Sequence, residues 1–357
     1  MERKAIARQY IAYGLNRDQV LKICEVSKHR YYHDLSGKKG GLRPSTTTTK
    51  IDKANQLVQV SNTEVVDEMV KIKRCPETDY GYRAMSAALC LLGFIINHKK
   101  VYRLMGEYQL LLDRTAKATR KYVKYRRVVP KGPLEVIEMD IKFQWVQEHN
   151  RYAYILTVLD TFTRKVLNWM VGYSIRQEQV RLVWEQVIVN HLQPADMLAK
   201  EITVELRNDN DSRFTANMIQ DYFQKNHINQ VFTHPYTPQD NGHIESFHSI
   251  LGRSLDPEVF HVLGDLEKHL KHFYANYNKI RLHGSLDHLS PDLFCKLWEK
   301  NLIERIELPN HRYKLKLKVP HYLISGNGDL REVSSISKEG LDGRILKQLK
   351  VNGAMSL

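Results

Sequence analysis

The strongest constraint on this chain is a change of hydrophobic period that begins at residue 134. "LEVIEMDIKF" (134–143), "RYAYILTVLD" (151–160) and "KVLNWMVGY" (165–173) are β-branched and aromatic runs with short connections, which predicts three consecutive strands. The period then lengthens. "QEQVRLVWEQVIVNHL" predicts a helix, "EITVELRND" a fourth strand, "TANMIQDYFQKNH" a helix and "INQVFTH" a fifth strand. After the Pro- and Gly-containing loop "PYTPQDNG", "HIESFHSILGRSL" opens another helix. The order βββαβαβα is a meander extended through helices, an α/β layered sheet of mixed direction.

Upstream the pattern is helical. In "RKAIARQYIAYGLNRDQVLKICEVSKHRYYHDL", Ile6, Tyr10, Val20, Leu21, Ile23 and Cys24 recur at helical spacing; Gly14 breaks a first helix, Asn16 caps a second, and "EVSKHRYY" turns into a basic third. Three short helices of this kind fit a helix-turn-helix, with Lys28, His29 and Arg30 as candidate DNA contacts. The pattern returns over 64–112, where the third helix carries Asn97, His98, Lys99, Lys100 and Arg103 in its N-terminal half. A plain three-helix bundle with a solvated basic face is the competing reading of each unit.

Charge favours the first reading. The chain of 357 residues has 54 Lys and Arg against 40 Asp and Glu, a net +14, which suits polyanionic partners, nucleic acid first and anionic membrane second. From Arg114 to Lys131 there are eight cations and no acid, and Arg120, Lys121, Lys124, Arg126 and Arg127 are interleaved with Tyr122 and Tyr125, as in a linker that tracks a nucleic-acid strand. Four scattered cysteines suggest neither a disulfide framework nor a zinc knuckle, "MERKAIARQY" lacks the apolar core of a signal peptide, and no apolar run reaches the length of a membrane span. A reduced, cytoplasmic setting with no membrane partner is expected.

Three acids stand out on this map. Asp140 lies within the first predicted strand, Asp209 ends the fourth, and Glu245 sits in the first turn of the helix after the fifth, with thirty-five residues between the last two. A carboxylate in mid-strand is costly to bury unless paired or bound to a cation. Three converging carboxylates would make an oxygen-rich site for hard cations such as Mg²⁺ or Mn²⁺. Glu138 and Asp240 are expected in solvent, and His248 is expected to pack at the surface.

These words resemble a known family. "EMDIKF", "RNDNDSRFTA" and "PYTPQDNGHIESFHSIL" are similar to the three signature blocks of DDE transposases with a retroviral-integrase core, and "YNKIRLHGSLDHLSPDLF" to the block that closes that core. "CEVSKHRYY" and "YGYRAMSAALCLLGFIINHKKVYRLM" resemble the helix-turn-helix region of bacterial insertion-sequence transposases, notably those typified by insertion sequence three; the likeness runs over roughly residues 5–295. The resemblance implies a ribonuclease H-like core, with Asp140, Asp209 and Glu245 as catalytic ligands of two Mg²⁺ or Mn²⁺ ions. It implies cleavage and strand transfer at transposon terminal repeats and target DNA in a bacterial, nucleoid-associated setting. A homo-oligomer on DNA and a helix-turn-helix partner from an upstream reading frame are further implied partners. It makes Asp160 structural and leaves Tyr236 and Tyr277 to packing or DNA contact. A DNA-binding regulator without catalysis and a nuclease of the same fold remain alternatives; an integrase proper is disfavoured, since the His/Cys zinc module is missing.

Two departures matter. Asp211 stands where relatives commonly have glycine. Relatives also carry Lys or Arg seven positions after the catalytic Glu, where this chain has Gly252 followed by Arg253; a bend at Gly252 would swing Arg253 to the active edge as a DNA contact. The expected organisation is a helix-turn-helix (1–36), a linker (37–60), a second helix-turn-helix (61–113), a basic linker (114–131), the catalytic core with its C-terminal helices (132–300) and a small β-rich tail (301–357). In the tail, "RYKLKLKV" predicts a strand with Lys314, Lys316 and Lys318 on a basic, DNA-facing side, and "SGNGD" a hairpin turn.

Overall fold

The computed structural model describes residues 2–32, 44–112, 128–198, 204–233, 241–309 and 312–331. It divides into two units, 1–46 and 47–357, each taken by itself. The first holds α1 (Glu2–Ala12), α2 (Arg17–Ile23) and α3 (Lys28–Tyr32). Asn16 caps α2 as expected, accepting from the Asp18 and Gln19 amides. The apolar face differs from the expected one. Ala7, Val20, Leu21 and Val26 form the core, whereas Ile6, Tyr10 and Ile23 are exposed. One residue rotates a helix by about 100°, so choosing the small Ala7 as the crossing point turns its neighbour Ile6 outward.

The second unit begins with β1 (Thr47–Ile51) and β2 (Leu57–Ser61), in residues largely expected to be linker. Thr47 pairs with Ser61 and Ile51 with Leu57, and the Asp52 carboxylate closes the turn by accepting from the Ala54 and Gln56 amides. Threonine is β-branched and suits a strand even inside a repetitive tract. Helices α4 (Asn62–Lys73) and α5 (Tyr82–Leu91), strand β3 (Phe94–Ile95) and helix α6 (His98–Glu107) follow. β3 pairs with β1, and the helices bury Val65, Met69, Met85, Leu89, Phe94, Val101 and Leu104 together.

The central sheet contains β4 (Val136–Val146), β5 (Arg151–Asp160), β6 (Val166–Gly172), β7 (Val204–Asn208) and β8 (Ile228–Phe232), in the order β6-β5-β4-β7-β8. The β4–β5 and β5–β6 pairs are antiparallel, and the β4–β7 and β7–β8 pairs parallel. This is the mixed, ribonuclease H-like sheet expected, with β4 at its centre. Helix α7 (Gln177–Val187), the short α8 (Ser212–Thr215) and α9 (Asn217–Lys225) cover one face, burying Trp184, Phe214 and Phe223 against Ile137, Met139 and Ile141. Helices α10 (Gly242–Leu255) and α11 (Leu263–Lys279) cover the other through Phe247, Leu251, Phe273 and Tyr277. Asp160 is structural, as expected: fully buried, it accepts from the Leu134, Phe162 and Thr163 amides.

Helix α12 (Pro291–Glu299) and the hairpin of β9 (Ile303–Leu308) and β10 (Arg312–Leu317) pack on Phe162 and Leu286. β10 alternates as expected, with Leu315 and Leu317 buried and Lys314 and Lys316 exposed. The "SGNGD" turn closes between Ser325 and Asp329, with Gly328 at φ +85°. The helical part 47–112 joins the core directly. The Tyr80 hydroxyl donates to the Ile280 carbonyl and accepts from the Leu282 amide, Arg281 donates to the Glu77 carbonyl, and Arg331 to the Leu91 carbonyl. Among the described residues, no helix is long and apolar enough to cross a membrane.

Candidate active site

Strand β4 sorts its side chains by the two-residue period. Ile137, Met139 and Ile141 enter one core, which leaves Glu138, Asp140 and Lys142 on the face covered by α10. Two residues of strand advance about 6.6 Å and four residues of helix about 6 Å, so neighbouring elements can meet rung by rung. They do. On the first rung Glu138 meets His243 Nδ1 at 2.8 Å and accepts from the Ile244 amide at 2.7 Å. On the second, Asp140 Oδ2 lies 3.4 Å from His248 Nδ1. On the third, the Lys142 ammonium lies over Gly252.

Glu138 is therefore not in solvent, as its sequence context suggested, but fully buried. Burial pushes its carboxyl up to about 7, against the Ile244 amide and the charges of Arg164 and Arg207, which favour the ionised form. It caps the first turn of α10 from a neighbouring strand and so sets the position of the helix that carries Glu245. The available signal was its place two residues before Asp140 on a strand, hence on the same face. His248 is likewise mostly covered rather than at the surface, and its Nε2 is buried with no partner among the described residues.

The parallel register sets Glu138 beside Arg207; continued two residues, it brings Asp140 level with Asp209. Burial and then the charge of Asp140 push the Asp209 carboxyl above its usual range. Glu245, exposed on the first turn of α10, is raised by partial burial, then by Asp140 and Glu138. Asp140 is thus the charge that both other acids feel. Among the described residues, no group of three or more His, Cys, Asp or Glu is drawn close enough to hold a metal ion.

Asp211 has a local occupation. It caps α8, accepting from the Arg213 amide at 2.9 Å, and the Arg213 guanidinium holds its carboxyl below the usual range. Asn208 is buried and tied to Gln230, and Asn210 donates to the Thr233 carbonyl. The polar cluster of 207–214 is thus mostly a strand-to-helix turn, with Asp209 left at its rim.

The expected DNA contacts fare unevenly. Lys28 pairs with Asp18 at 3.0 Å, while His29 and Arg30 lie on the exposed side of α3. The Asn97 side chain caps α6 by accepting from the Lys100 amide; His98 stands beside Tyr82, and Lys99 is exposed. Lys100 donates to the Thr47 carbonyl at 2.5 Å, and Arg103 pairs with Glu107 at 2.9 Å. Lys314 and Lys316 face solvent, and Lys318 donates to Asn301. Arg120, Lys121, Lys124, Arg126, Arg127, Tyr236 and Asp240 lie outside the described residues. The helix is not interrupted at Gly252. α10 runs through Gly252 to Leu255, and Arg253 points to solvent with its Nε 3.4 Å from the Ser249 carbonyl. A buried glycine between Leu251 and Leu255, both in the core, has no freedom to unwind the helix.

Fold and sequence point to one class: part of the chain is similar to the Integrase core domain family. That family matches residues 130–238, a second Integrase core domain family matches 226–291, and an HTH-like domain matches 62–118. Its relatives are proteins of bacterial insertion elements. The insertion element IS476 uncharacterized 39.2 kDa protein of Xanthomonas euvesicatoria is 27% identical over 218 residues, 60% of this chain and 60% of that protein. The putative transposase InsK for insertion sequence element IS150 of Escherichia coli K12 is 25% identical over 228 residues, 59% of this chain and 76% of that protein. Among solved structures, a chain of the simian T-cell lymphotropic virus intasome in complex with PP2A regulatory subunit B56 gamma aligns with TM-score 0.38 and 13% identity, over 63% of this chain and 73% of that one. The match thus spans about 60% of the length of the first relative.

Proposed function

We propose that this chain is a DDE transposase that binds the ends of an insertion element and cuts and joins DNA strands at a site built from Asp140, Asp209 and Glu245. The observation that carries the reading is the electrostatic convergence on Asp140, from the adjoining strand and from α10. Like charges gathered together disfavour ionisation unless a cation joins them. The donors are all carboxylate oxygens, which suits Mg²⁺ or Mn²⁺. Asp140, Asp209 and Glu245 would hold such ions, which would supply activation of the attacking hydroxyl and charge stabilisation at the departing 3′-oxygen. The chain's own contribution is placement. β4 carries Asp140, Asp209 follows the end of β7, and the Glu138 cap holds the first turn of α10, which carries Glu245. The helical units of 1–36 and 61–113 and the basic linker would hold terminal repeats and target DNA, with a homo-oligomer assembled on them.

The test is cleavage and joining of a labelled terminal-repeat duplex in Mg²⁺, with EDTA as control. Metal-dependent nicking and strand transfer are expected. Specific binding without cleavage, in Mg²⁺ and in Mn²⁺, would reassign the chain as a DNA-binding regulator.

A further inference from the structure

Lys142 occupies the third rung of the β4–α10 contact. Gly252 is buried, and a Cβ built on it would lie 3.5 Å from Lys142 Nζ, 3.7 Å from Lys142 Cε and 3.9 Å from Asp256 Oδ2. The ammonium therefore lies along α10 in the space that a longer side chain at 252 would enter. Residues 245, 248 and 252 share one helical face, since seven residues turn the helix by about 700°, nearly two full circles. That face carries Glu245, and the strand face that sends Lys142 to it carries Asp140. Among the described residues, Lys142 makes no hydrogen bond or ion pair, although Asp140 shares its strand face and Asp256 lies beside the same Gly252. A half-buried lysine that donates to neither acid keeps all three N–H groups for something else.

We infer that Lys142 is the phosphate-binding cation of this active site, supplied by the strand rather than by the helix, in space that a side chain longer than a methyl at 252 would enter. It would grip the DNA backbone phosphate next to the one under attack, as a point charge beside the carboxylate centre. The inference rests on the transposase reading for the identity of the ligand, a DNA phosphate at a cleaved end.

The experiment uses the full chain, a pre-cleaved terminal-repeat duplex and Mg²⁺. It reads joining rate, melting temperature and the salt dependence of end binding. Lys142→Ala should slow joining by about tenfold or more, the kinetic equivalent of one charge-assisted hydrogen bond, and should lower the log–log salt slope by about one. Lys142→Arg should retain part of the rate. The deciding variant is Lys142→Ala combined with Gly252→Lys, which returns an ammonium to the same space from the helix and should recover most of the lost rate. Asp256→Asn should leave joining unchanged. A Lys142→Ala protein that joins at the wild-type rate overturns the inference, as does a folded double variant that recovers nothing. So does equal loss of melting temperature in Lys142→Ala and Asp256→Asn with joining intact, the behaviour of a merely structural ion pair. If the wild type itself never cuts or joins, the transposase reading falls separately, and an unchanged salt slope in Lys142→Ala removes the phosphate role as well.

Discussion

The acids on the α10 side of the sheet and the cations of the two helical units make an instructive contrast. Around Asp140 the charges accumulate: Asp209 and Glu245 are raised by burial and then by its charge, and no cation among the described residues forms an ion pair with either. On α3 and α6 several charges are already spent, Lys28 on Asp18, Lys100 on a backbone carbonyl and Arg103 on Glu107. Both regions are rich in the residue types their proposed ligands need. What separates them is compensation. A charge satisfied within the fold contributes to the fold, whereas a charge left unsatisfied at the cost of desolvation is the better mark of a ligand site.

The sharpest way to break this contrast is at the acids. Asp140→Asn, Asp209→Asn and Glu245→Gln should each lower strand cleavage by about a thousandfold or more, since metal stabilisation of the transition state is worth several kcal/mol, while end binding persists. Asp211→Asn should keep most activity, because Asn also caps helices. Wild-type cleavage in Asp209→Asn together with a dead Asp211→Asn would reverse the assignment. Next in size is Glu138→Ala, which strips the cap from α10 and leaves the buried Ile244 amide unpaired. A loss of about 3 kcal/mol in denaturant unfolding is expected, with cleavage reduced in the fraction that stays folded; Glu138→Gln should cost less, since its carbonyl still accepts.

The basic side is tested on β10. Replacing Lys314, Lys316 and Lys318 together with Ala should lower the salt slope of DNA binding by about two rather than three, because Lys318 is already bonded to Asn301. An unchanged slope leaves this face with no role in DNA binding.

Much of this arrangement is legible in the residues, and the misses have physical causes. The period of two over 134–173 and the alternation afterwards carry the element order; Asp140 falls inside a strand, Asp209 just after one and Glu245 in the first turn of a helix. The same period places Glu138 and Asp140 on one face, but only the tertiary position of α10 shows that this face is covered. Gly252 reads locally as a helix breaker; its real neighbour, Lys142, comes from a strand over a hundred residues away. The Thr-rich stretch before Ile51 has low complexity yet high β propensity, and pairing with Leu57–Ser61 decides in favour of the strand. In the same way, nothing near Tyr80 announces that its hydroxyl bridges to 280–282 and fuses the helical part to the core.

The last expected effect concerns a histidine on neither side of the contrast. His283 is largely buried, 4.9 Å from the Tyr277 ring centroid, with its Nε2 unpartnered among the described residues. Burial, and then the charges of Arg281 and Arg164, push its pKa down to about 3. In the unfolded chain the imidazole titrates near its ordinary value of about 6.5. Between those two values the unfolded state binds a proton that the folded state does not, so stability falls as pH drops through that window, by at most about 1.4 kcal/mol per pH unit for this one group. Above about pH 6.5 both states are neutral and the contribution vanishes. His283→Gln removes the titration while keeping polar character. Its unfolding free energy, measured from pH 7 to pH 4, should fall less steeply than that of the wild type by up to one proton. Identical slopes would mean that His283 takes up its proton in the folded state, and that the Arg281–Arg164 neighbourhood admits a third positive charge.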